Sequence, residues 1–381
     1  MFFSTIMIKK FFLIFSLVLF TTLLYAQSLR WHLVKDAGIE WSVKKTDTAH
    51  TDHIEMSGRQ VSIILTYGTD INKQLILKRQ LIFPMLRTIP NDTHASLSYT
   101  FDHPLPPVEI AGEAMQEIPF SFSFNGYIKI KSGSNNGLIT SREIFSSTDK
   151  AAVIEKITIY NKAAVATDIK IPNYSKTDTT AADKGVYGRY LLNTKIYESG
   201  IYSLKPNDKL SYFIVYSGRK ESDQPYKFSV DYEAIKRENL VKEFTKQLVL
   251  ETPDQTLNKM FSFAKIRAAE SIFDTKNGLM HGPGGGAYYA AIWANDQAEY
   301  MNPFFPFLGY PAGNESAINS FKLFASYINK DNKPIPSSVI AEGTDVWHGA
   351  GDRGDQAMIA YGASRFALAY ADTAEAKNLC H

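Results

Sequence analysis

The fold of the first half of the chain is decided by the stretch Phe120-Ser-Phe-Ser-Phe-Asn-Gly-Tyr-Ile-Lys-Ile130. Its phenylalanines alternate with serines at a period of two, which is the side-chain period of a β-strand. Asn125-Gly126 is a turn sequence, and a second apolar run begins directly after it. The stretch therefore predicts two strands separated by a tight turn.

The same pattern extends over residues 27–230. Short runs rich in β-branched and aromatic residues alternate with turn sequences such as Asn136-Gly137 and Pro206-Asn207-Asp208, without an amphipathic helix between them. Many short strands with regular turns predict an antiparallel β-sandwich. The clearest predicted strands are Val61–Tyr67, Leu75–Phe83, Phe120–Phe124, Tyr127–Ile130, Val153–Tyr160 and Tyr212–Tyr216.

The periodicity changes to that of a helix at Asp231. Over residues 231–251, apolar residues recur at helical spacing among lysines and glutamates, which predicts a charged surface helix that links two domains. The apolar positions are Tyr232, Ile235, Val241, Phe244 and Leu248. Thr252-Pro253-Asp254-Gln255 then predicts a helix start, with Thr252 as N-cap, Pro253 at the first position and Gln255 closing a capping box.

Residues 252–381 are predicted to form a second, helical domain with long irregular loops, which commonly carry function. Its first helix is expected to run to about Phe273 and to bury Leu257, Met260, Phe261, Ala264 and Ala268. Three further helices are expected: one over Ile292–Tyr300, one carrying Ile318, Phe321, Phe324 and Ile328, and one over Gly354–Leu368. The last is rich in alanine and glycine, so it can pack closely.

The first 26 residues have the pattern of a secretory signal peptide. Lys9 and Lys10 precede an apolar block from Phe11 to Leu24, and Ala26 supplies a small residue at the exit. The block is short for a membrane span, which needs about 20 apolar residues. We expect an exported bacterial protein, periplasmic or secreted, that is not held in a membrane after cleavage.

Charge and cysteine content exclude several classes of function. The chain has 41 basic and 39 acidic residues, and removal of Lys9 and Lys10 with the leader makes the two equal, so nucleic acid is not an expected partner. Cys380 is the only cysteine, which excludes an intramolecular disulfide and a cysteine metal cluster. The histidines are scattered, and Gly282-Pro-Gly-Gly-Gly286 lacks the Lys-Ser/Thr ending of a phosphate loop. We expect no metal and no cofactor.

Two segments concentrate residues suited to chemistry. In Ile292-Trp-Ala-Asn-Asp-Gln-Ala-Glu-Tyr300, one helical turn would bring Asn295 and Asp296 near Trp293. A carboxylate beside an aromatic ring suits a sugar, because the carboxylate accepts hydrogen bonds from hydroxyls while the ring covers an apolar C–H face. The alternative is a structural helix start with a capping Asn or Asp and a buried tryptophan.

The second segment is Glu342-Gly-Thr-Asp-Val-Trp-His-Gly-Ala-Gly-Asp-Arg-Gly-Asp-Gln356. It holds four carboxylates, one histidine, one arginine and one tryptophan beside a predicted buried helix, which is costly unless these groups pair or bind a ligand. The candidate residues here are His348, Asp352, Arg353, Asp355 and Glu342. The alternative is a solvated loop in which Asp352 caps the helix and Arg353 pairs with an acid.

An exported β-sandwich, a linker helix and a helical domain that opens on a proline-capped helix together resemble the six-hairpin (α/α)6 glycosidases. Members often carry Trp-x-Arg-Asp near the end of an early loop, where the aspartate holds the sugar in the first subsite. Here the matching stretch is Trp293-Ala294-Asn295-Asp296, with Asn in place of Arg. Glu342-Gly343 and Arg353-Gly354-Asp355 look like the next substrate-facing loop. Six hairpins need roughly 200 residues at least, so residues 252–381 predict an incomplete toroid of four or five helices, the N-terminal portion of a longer enzyme.

The resemblance implies a glycoside hydrolase that acts on an oligo- or polysaccharide, and we expect inversion. An inverting enzyme needs a carboxylic acid and a carboxylate base on opposite sides of the scissile bond. Glu342 and Asp355 are the catalytic candidates, and the chain could also end before the true pair. The substrate-binding candidates are Trp293, Asn295, Asp296, His348, Asp352 and Arg353. Two alternatives stay open: a non-catalytic carbohydrate-binding or scaffold protein, and a polysaccharide lyase that uses Tyr288 or Tyr289 with Arg353.

Overall fold

The structure is a computed structural model that describes residues 30–34, 38–90, 95–282, 291–331, 333–349, 351 and 353–380. The predicted signal peptide, residues 1–26, lies outside them. The described residues form 21 strands and six α-helices, with the strands concentrated before the first helix. No helix in these segments is long and apolar enough to cross a membrane.

Within the described segments, seventeen strands precede the first α-helix. They are β1 (His32–Val34), β2 (Gly38–Ser42), β3 (His50–Ser57), β4 (Ser62–Thr69), β5 (Leu75–Arg87), β6 (Ser96–Thr100), β7 (Glu109–Ile110), β8 (Glu113–Ala114), β9 (Ile118–Phe124), β10 (Ile128–Gly133), β11 (Leu138–Ser146), β12 (Ala152–Asn161), β13 (Thr167–Ile171), β14 (Ser175–Thr179), β15 (Tyr190–Tyr197), β16 (Gly200–Leu204) and β17 (Lys209–Lys220). Short 3-10 turns occupy Asn135–Gly137 and Ala182–Lys184. The six clearest predicted strands are all present, most of them longer than predicted.

These strands form a sandwich of antiparallel sheets. Nine strands make the large sheet, in the order β1-β2-β9-β10-β11-β12-β17-β15-β14, and two four-stranded sheets have the orders β3-β4-β5-β6 and β16-β13-β7-β8. One buried core joins residues of all three, for example Phe122 and Ile157 of the large sheet with Ile63 and Ile169 of the smaller ones. The predicted β-sandwich followed by a helical region is therefore confirmed.

The remaining elements follow from residue 230 onward. The helices are α1 (Val230–Lys246), α2 (Gln255–Glu270), α3 (Asn302–Leu308), α4 (Pro311–Ala325), α5 (Asp355–Ala369) and α6 (Thr373–Cys380). The strands are β18 (Ile272–Thr275), β19 (Gly278–His281), β20 (Ala291–Trp293) and β21 (Ser338–Ile340), which pair as β18-β19 and β20-β21. A π-helical turn, Asp296–Met301, precedes α3. A second core contains Ile266, Phe305, Phe321 and Phe366 from α2 to α5.

Helix α1 buries charged residues as well as part of the apolar stripe expected of it, since Val241 and Phe244 are buried. Tyr232 and Ile235 are more than half exposed, whereas Glu233 and Arg237 are buried. The charges can be buried because they are paired: Lys150 contacts Glu233 at 2.6 Å, and Arg237 donates to the carbonyl of Ser57 at 2.7 Å. Arg237 also pairs with Glu270 at the end of α2 and donates to the carbonyl of Gly126. These contacts fasten the helix between the sandwich and α2.

Helix α2 begins later than its capping sequence predicts. Its N-cap is Asp254, whose carboxylate accepts hydrogen bonds from the amides of Thr256 and Leu257. Thr252 lies before the helix and donates its hydroxyl to the side chain of Asn258 at 2.8 Å. The predicted N-cap at Thr252 is wrong because the Asp254 carboxylate, two residues later, satisfies the free amides of the first turn.

The predicted apolar faces of the helices are only partly buried. On α2, Leu257 and Met260 are 47% and 64% exposed, and Ile266 and Ala269 face the core instead. Phe321 and Phe324 of α4 are buried as expected, but Ile328 lies beyond the helix and is exposed. Helix α5 packs closely through Gly362, where an added Cβ would lie 2.5 Å from the Cα of Ala298.

Candidate functional site

The candidate site is built on the short β20–β21 ladder. Trp293 is paired with Ser338, and the amide of Ala294 donates to the carbonyl of Ser337 at 2.9 Å. The chain leaves β20 directly into the π-helical turn Asp296–Met301. The prediction of a single helix over Ile292–Tyr300 is therefore wrong at its start, where the backbone pairs as a strand. π-Helical turns within helices are frequent at functional sites.

Two tryptophans and one arginine form the aromatic cluster, which we define as Trp293, Trp347 and Arg353. The indoles of Trp293 and Trp347 meet edge to face, with centroids 5.5 Å apart and planes at 70°. The guanidinium of Arg353 lies 5.3 Å from the centroid of the Trp293 ring, within cation–π range. The cluster thus joins residues from both sequence segments that carried candidate residues, and it offers an aromatic surface with a positive charge beside it.

Asp296 follows Trp293 by three residues, is half-buried, and lies within reach of the charge of Arg353. The hydroxyl of Tyr300, one turn later, donates to its carboxylate. Burial raises the pKa of Asp296, and the charge of Glu299 adds to the increase, while the Tyr300 hydrogen bond and the charge of Arg353 oppose it. A carboxyl group with a raised pKa can hold a proton closer to neutral pH than an ordinary aspartate. Asn295 is half-buried, and its side chain makes no capping hydrogen bond.

Asp355 is fully buried at the first position of α5. Its Oδ2 accepts hydrogen bonds from the hydroxyl of Ser337 and from the amide of Arg353, the latter at 3.3 Å. Its Oδ1 has no hydrogen-bond partner within the described part of the chain. The N-cap of α5 is Gly354, which adopts φ +82°, a conformation that side chains disfavour. Asp355 therefore connects the Arg353 loop to the β20–β21 ladder and keeps one oxygen free.

Glu342 lies in the tight turn that follows β21 and is also buried. Its Oε1 accepts a hydrogen bond of 2.6 Å from the hydroxyl of Tyr187, a sandwich residue. Its Oε2 accepts one of 3.3 Å from Lys276, in the β18–β19 turn. The hydrogen bond from Lys276 to Tyr187 is the main cause of the raised pKa of Lys276, and the charge of Glu342 adds to it. Both oxygens of Glu342 are therefore engaged by residues outside the aromatic cluster.

Of the remaining candidate residues, the structure describes only His348. His348 is exposed, and none of the hydrogen bonds or ion pairs found among the described residues involves its side chain. Asp352 lies outside the described residues, as do Tyr288 and Tyr289. No group of three or more His, Cys, Asp or Glu suited to a metal ion occurs in the segments that the structure describes.

Four residues that the sequence did not nominate contribute to the arrangement: Trp347, Ser337, Tyr187 and Lys276. Trp347 was detectable, because it stands inside the segment that carries Glu342 and His348. Ser337 and Lys276 lie outside both segments, and Tyr187 comes from the sandwich 155 positions before Glu342. No local pattern in the sequence connects a β-sandwich tyrosine with a glutamate of the helical region, so this contact required the structure.

Comparison with known proteins gives similarity of structure only. The chain matches no protein-family model and no curated protein. It is similar to a structure from the human microbiome described as a kojibiose phosphorylase, with a TM-score of 0.52 and 11% identity over 92% of this chain. A bacterial glucoamylase complexed with acarbose matches at a TM-score of 0.38 and 12% identity over 86% of this chain.

At 11% identity the first similarity concerns the fold alone. The chain spans 56% of the length of the phosphorylase and 59% of that of the glucoamylase. The incomplete (α/α)6 toroid over residues 252–381 stays a prediction.

Proposed function

We propose that this chain carries the sugar-binding portion of a carbohydrate-active enzyme, and that the aromatic cluster with Asp296 is its first subsite. The observation that carries the proposal is the stacking of Arg353 on Trp293, with Asp296 three residues after Trp293 and within reach of the charge of Arg353. An aromatic ring can cover the C–H face of a sugar, and a carboxylate and a guanidinium make charge-assisted hydrogen bonds to its hydroxyls. Asn295, His348 and Asp352 are proposed to extend this subsite.

We further propose that the reaction is glycoside hydrolysis with inversion of the anomeric carbon. One carboxylic acid would protonate the leaving oxygen while a second carboxylate removes a proton from the attacking water. Asp355 is the preferred candidate for one of these roles because its Oδ1 is free. Glu342 is the second candidate, although its two engaged oxygens give it an anchoring role as well.

The organisation of the whole chain is part of the proposal. Residues 1–26 would direct export to the periplasm or the medium, residues 27–230 would form the sandwich domain, and residues 231–251 the linker helix. Residues 252–381 would form the first part of an (α/α)6 toroid. The order of sheets and helices and the similarity to the phosphorylase structure support this arrangement.

The reaction is tested by incubating the protein with α- and β-linked neutral oligosaccharides and following the anomeric proton signals by NMR, with and without inorganic phosphate. We expect phosphate-independent cleavage whose first product has the opposite anomeric configuration, and loss of at least a hundredfold in kcat for Asp355→Asn, since acid or base catalysis contributes roughly 10²–10⁴-fold. Retention would contradict inversion. Cleavage only with phosphate would replace hydrolysis by phosphorolysis, and binding without cleavage would favour a non-catalytic carbohydrate-binding protein.

A further inference from the structure

A cavity lies where the sandwich meets helices α1 and α2, and it shares no residue with the candidate site. Its volume is about 450 Å³, within the range of small-molecule pockets. One wall comes from sandwich loops through Arg59, and another from one face of α1 through Asn239 and Glu243. Tyr310, just before α4, and Ile272 of β18 complete the lining.

Four side chains that line this cavity have donors or acceptors available for a ligand: Arg59, Asn239, Glu243 and Tyr310. Arg59 and Tyr310 both line the cavity, and the guanidinium of Arg59 forms no ion pair with any described residue. Glu243 and Asn239 are exposed, and neither side chain makes a hydrogen bond or ion pair within the described segments. Leu240 and Ile272 supply an apolar wall beside them. A few convergent polar groups on an apolar lining are typical of a ligand pocket.

The remaining charges at the cavity already neutralise one another. Lys236 contacts Asp149 at 2.7 Å and Glu233 at 3.1 Å. Glu270 is held by Arg237 and by Arg267, the latter at 2.7 Å. The unpaired charges are therefore Arg59 and Glu243, which have opposite sign, so an anion or a cation would gain at one and lose at the other. This balance favours a neutral ligand that both donates and accepts hydrogen bonds.

We propose that this cavity binds a neutral, hydroxyl-rich ring, a monosaccharide unit, at the junction between the sandwich and the helical region. Glu243 accepts from ring hydroxyls, Arg59 and Asn239 donate to them, and the apolar wall contacts the C–H face. The argument rests on the lining of this cavity and not on the function proposed for the aromatic cluster. Because the ligand would touch both the sandwich and α1, its binding also stabilises the folded chain.

The test is saturation-transfer NMR with glucose, galactose, mannose, xylose and rhamnose, carried out on the full chain with Asp296→Ala. The Asp296→Ala substitution weakens sugar binding at the candidate site, so that binding at the cavity can be measured separately. We expect at least one sugar to bind and its affinity to fall roughly fivefold or more with Glu243→Gln or Arg59→Met. Glu243 is exposed, so its substitution leaves the fold intact. Glu251→Gln, an exposed carboxylate outside the cavity, is the matched control and should change nothing.

Three results would overturn the assignment. The first is that no sugar of the panel binds in the Asp296→Ala background. The second is sugar binding that Glu243→Gln and Arg59→Met leave unchanged, which would place the sugar elsewhere. The third is binding of inorganic phosphate or of the zwitterion alanine in place of the sugars, which would assign a charged ligand. Equal sugar binding by the native chain and by Asp296→Ala would count against the proposed function and leave this cavity untouched.

Discussion

The hydroxyl of Tyr187 donates a 2.6 Å hydrogen bond to the buried carboxylate of Glu342 and so links the sandwich to the turn after β21. The same turn continues into Trp347, whose amide donates to the carbonyl of Ser338. Lys276 contacts both the phenol and the carboxylate. The sandwich thus holds the loop that places Trp347 against Trp293, and it is a structural support of the candidate site.

Removing this hydroxyl should therefore destabilise the protein. Tyr187→Phe leaves a buried carboxylate with one partner fewer, and we expect a loss of about 1–2 kcal/mol in the free energy of unfolding. Urea titration followed by tryptophan fluorescence measures it. Tyr361→Phe is the control, because Tyr361 is 60% exposed and no described residue hydrogen bonds to its hydroxyl. Equal stability of the two variants would contradict a supporting role for Tyr187.

The buried arginine of α1 should be among the most sensitive residues of the junction. Arg237 is 1% exposed and pairs with Glu270, so Arg237→Met leaves a buried carboxylate with less compensation. Breaking a buried ion pair in this way costs about 3–5 kcal/mol. Lys242→Met on the same helix breaks only an exposed pair with Glu238 and should cost less than about 0.5 kcal/mol. Chemical denaturation of both variants gives the comparison, and similar losses would argue against the anchoring role of α1.

Two substitutions of Asp254 test its role as the N-cap of α2. Asp254→Ala removes the acceptor for two amides of the first turn and should cost about 1 kcal/mol, whereas Asp254→Asn, an equally good cap, should cost a few tenths at most. Thermal unfolding monitored by circular dichroism measures both. A loss for Asp254→Asn as large as that for Asp254→Ala would contradict the capping role and show that the charge of the carboxylate matters instead.

Stability should fall with acid because of His281. Burial, with a smaller contribution from the charge of Arg267, lowers the pKa of His281 from 6.5 to about 3. Between these values the unfolded chain binds a proton that the folded chain does not, so the contribution is complete above pH 6.5 and is lost as the pH falls towards 3. The free energy of unfolding should drop by up to about 1.4 kcal/mol per pH unit from this residue. In His281→Gln, the part of the pH dependence of the free energy of unfolding that comes from this residue should vanish. An unchanged pH dependence would contradict the burial of His281 in its uncharged form.

The sequence predicted the order of the architecture because its signals are periodic. Alternation at Phe120–Phe124 and in the other runs marks strands wherever they pair, and the change of period near Asp231 marks the first helix within one residue. Local chemistry was less reliable. Several side chains could cap α2, and only the structure shows that Asp254 does so. The inner face of α1 was predicted only in part. Val241 and Phe244 are buried as their spacing indicates, but Glu233 and Arg237 are buried as well, against partners that are remote in sequence.

The sequence identified several residues of the candidate site but not the backbone structure or the burial that the fold gives them. Trp293 and Arg353 were nominated from separate segments, and the structure brings them into contact. The strand at Ala291–Trp293 and the π-helical turn after it were not foreseen, since β20 pairs with β21 across more than forty intervening residues. Asp355 was nominated as a loop carboxylate beside a helix, but its full burial and its bond to Ser337 depend on tertiary packing.

The central claim is that Asp296 and the aromatic cluster bind a sugar. The most direct test is a glycan-array measurement of the full chain and of Asp296→Ala, followed by titration calorimetry with the best glycan. We predict binding by the native chain and a loss of about 1.5–3 kcal/mol in the variant, roughly ten- to a hundredfold in affinity, because a charge-assisted hydrogen bond is removed. A folded Asp296→Ala variant that binds the same glycan with unchanged affinity would contradict the assignment of this subsite.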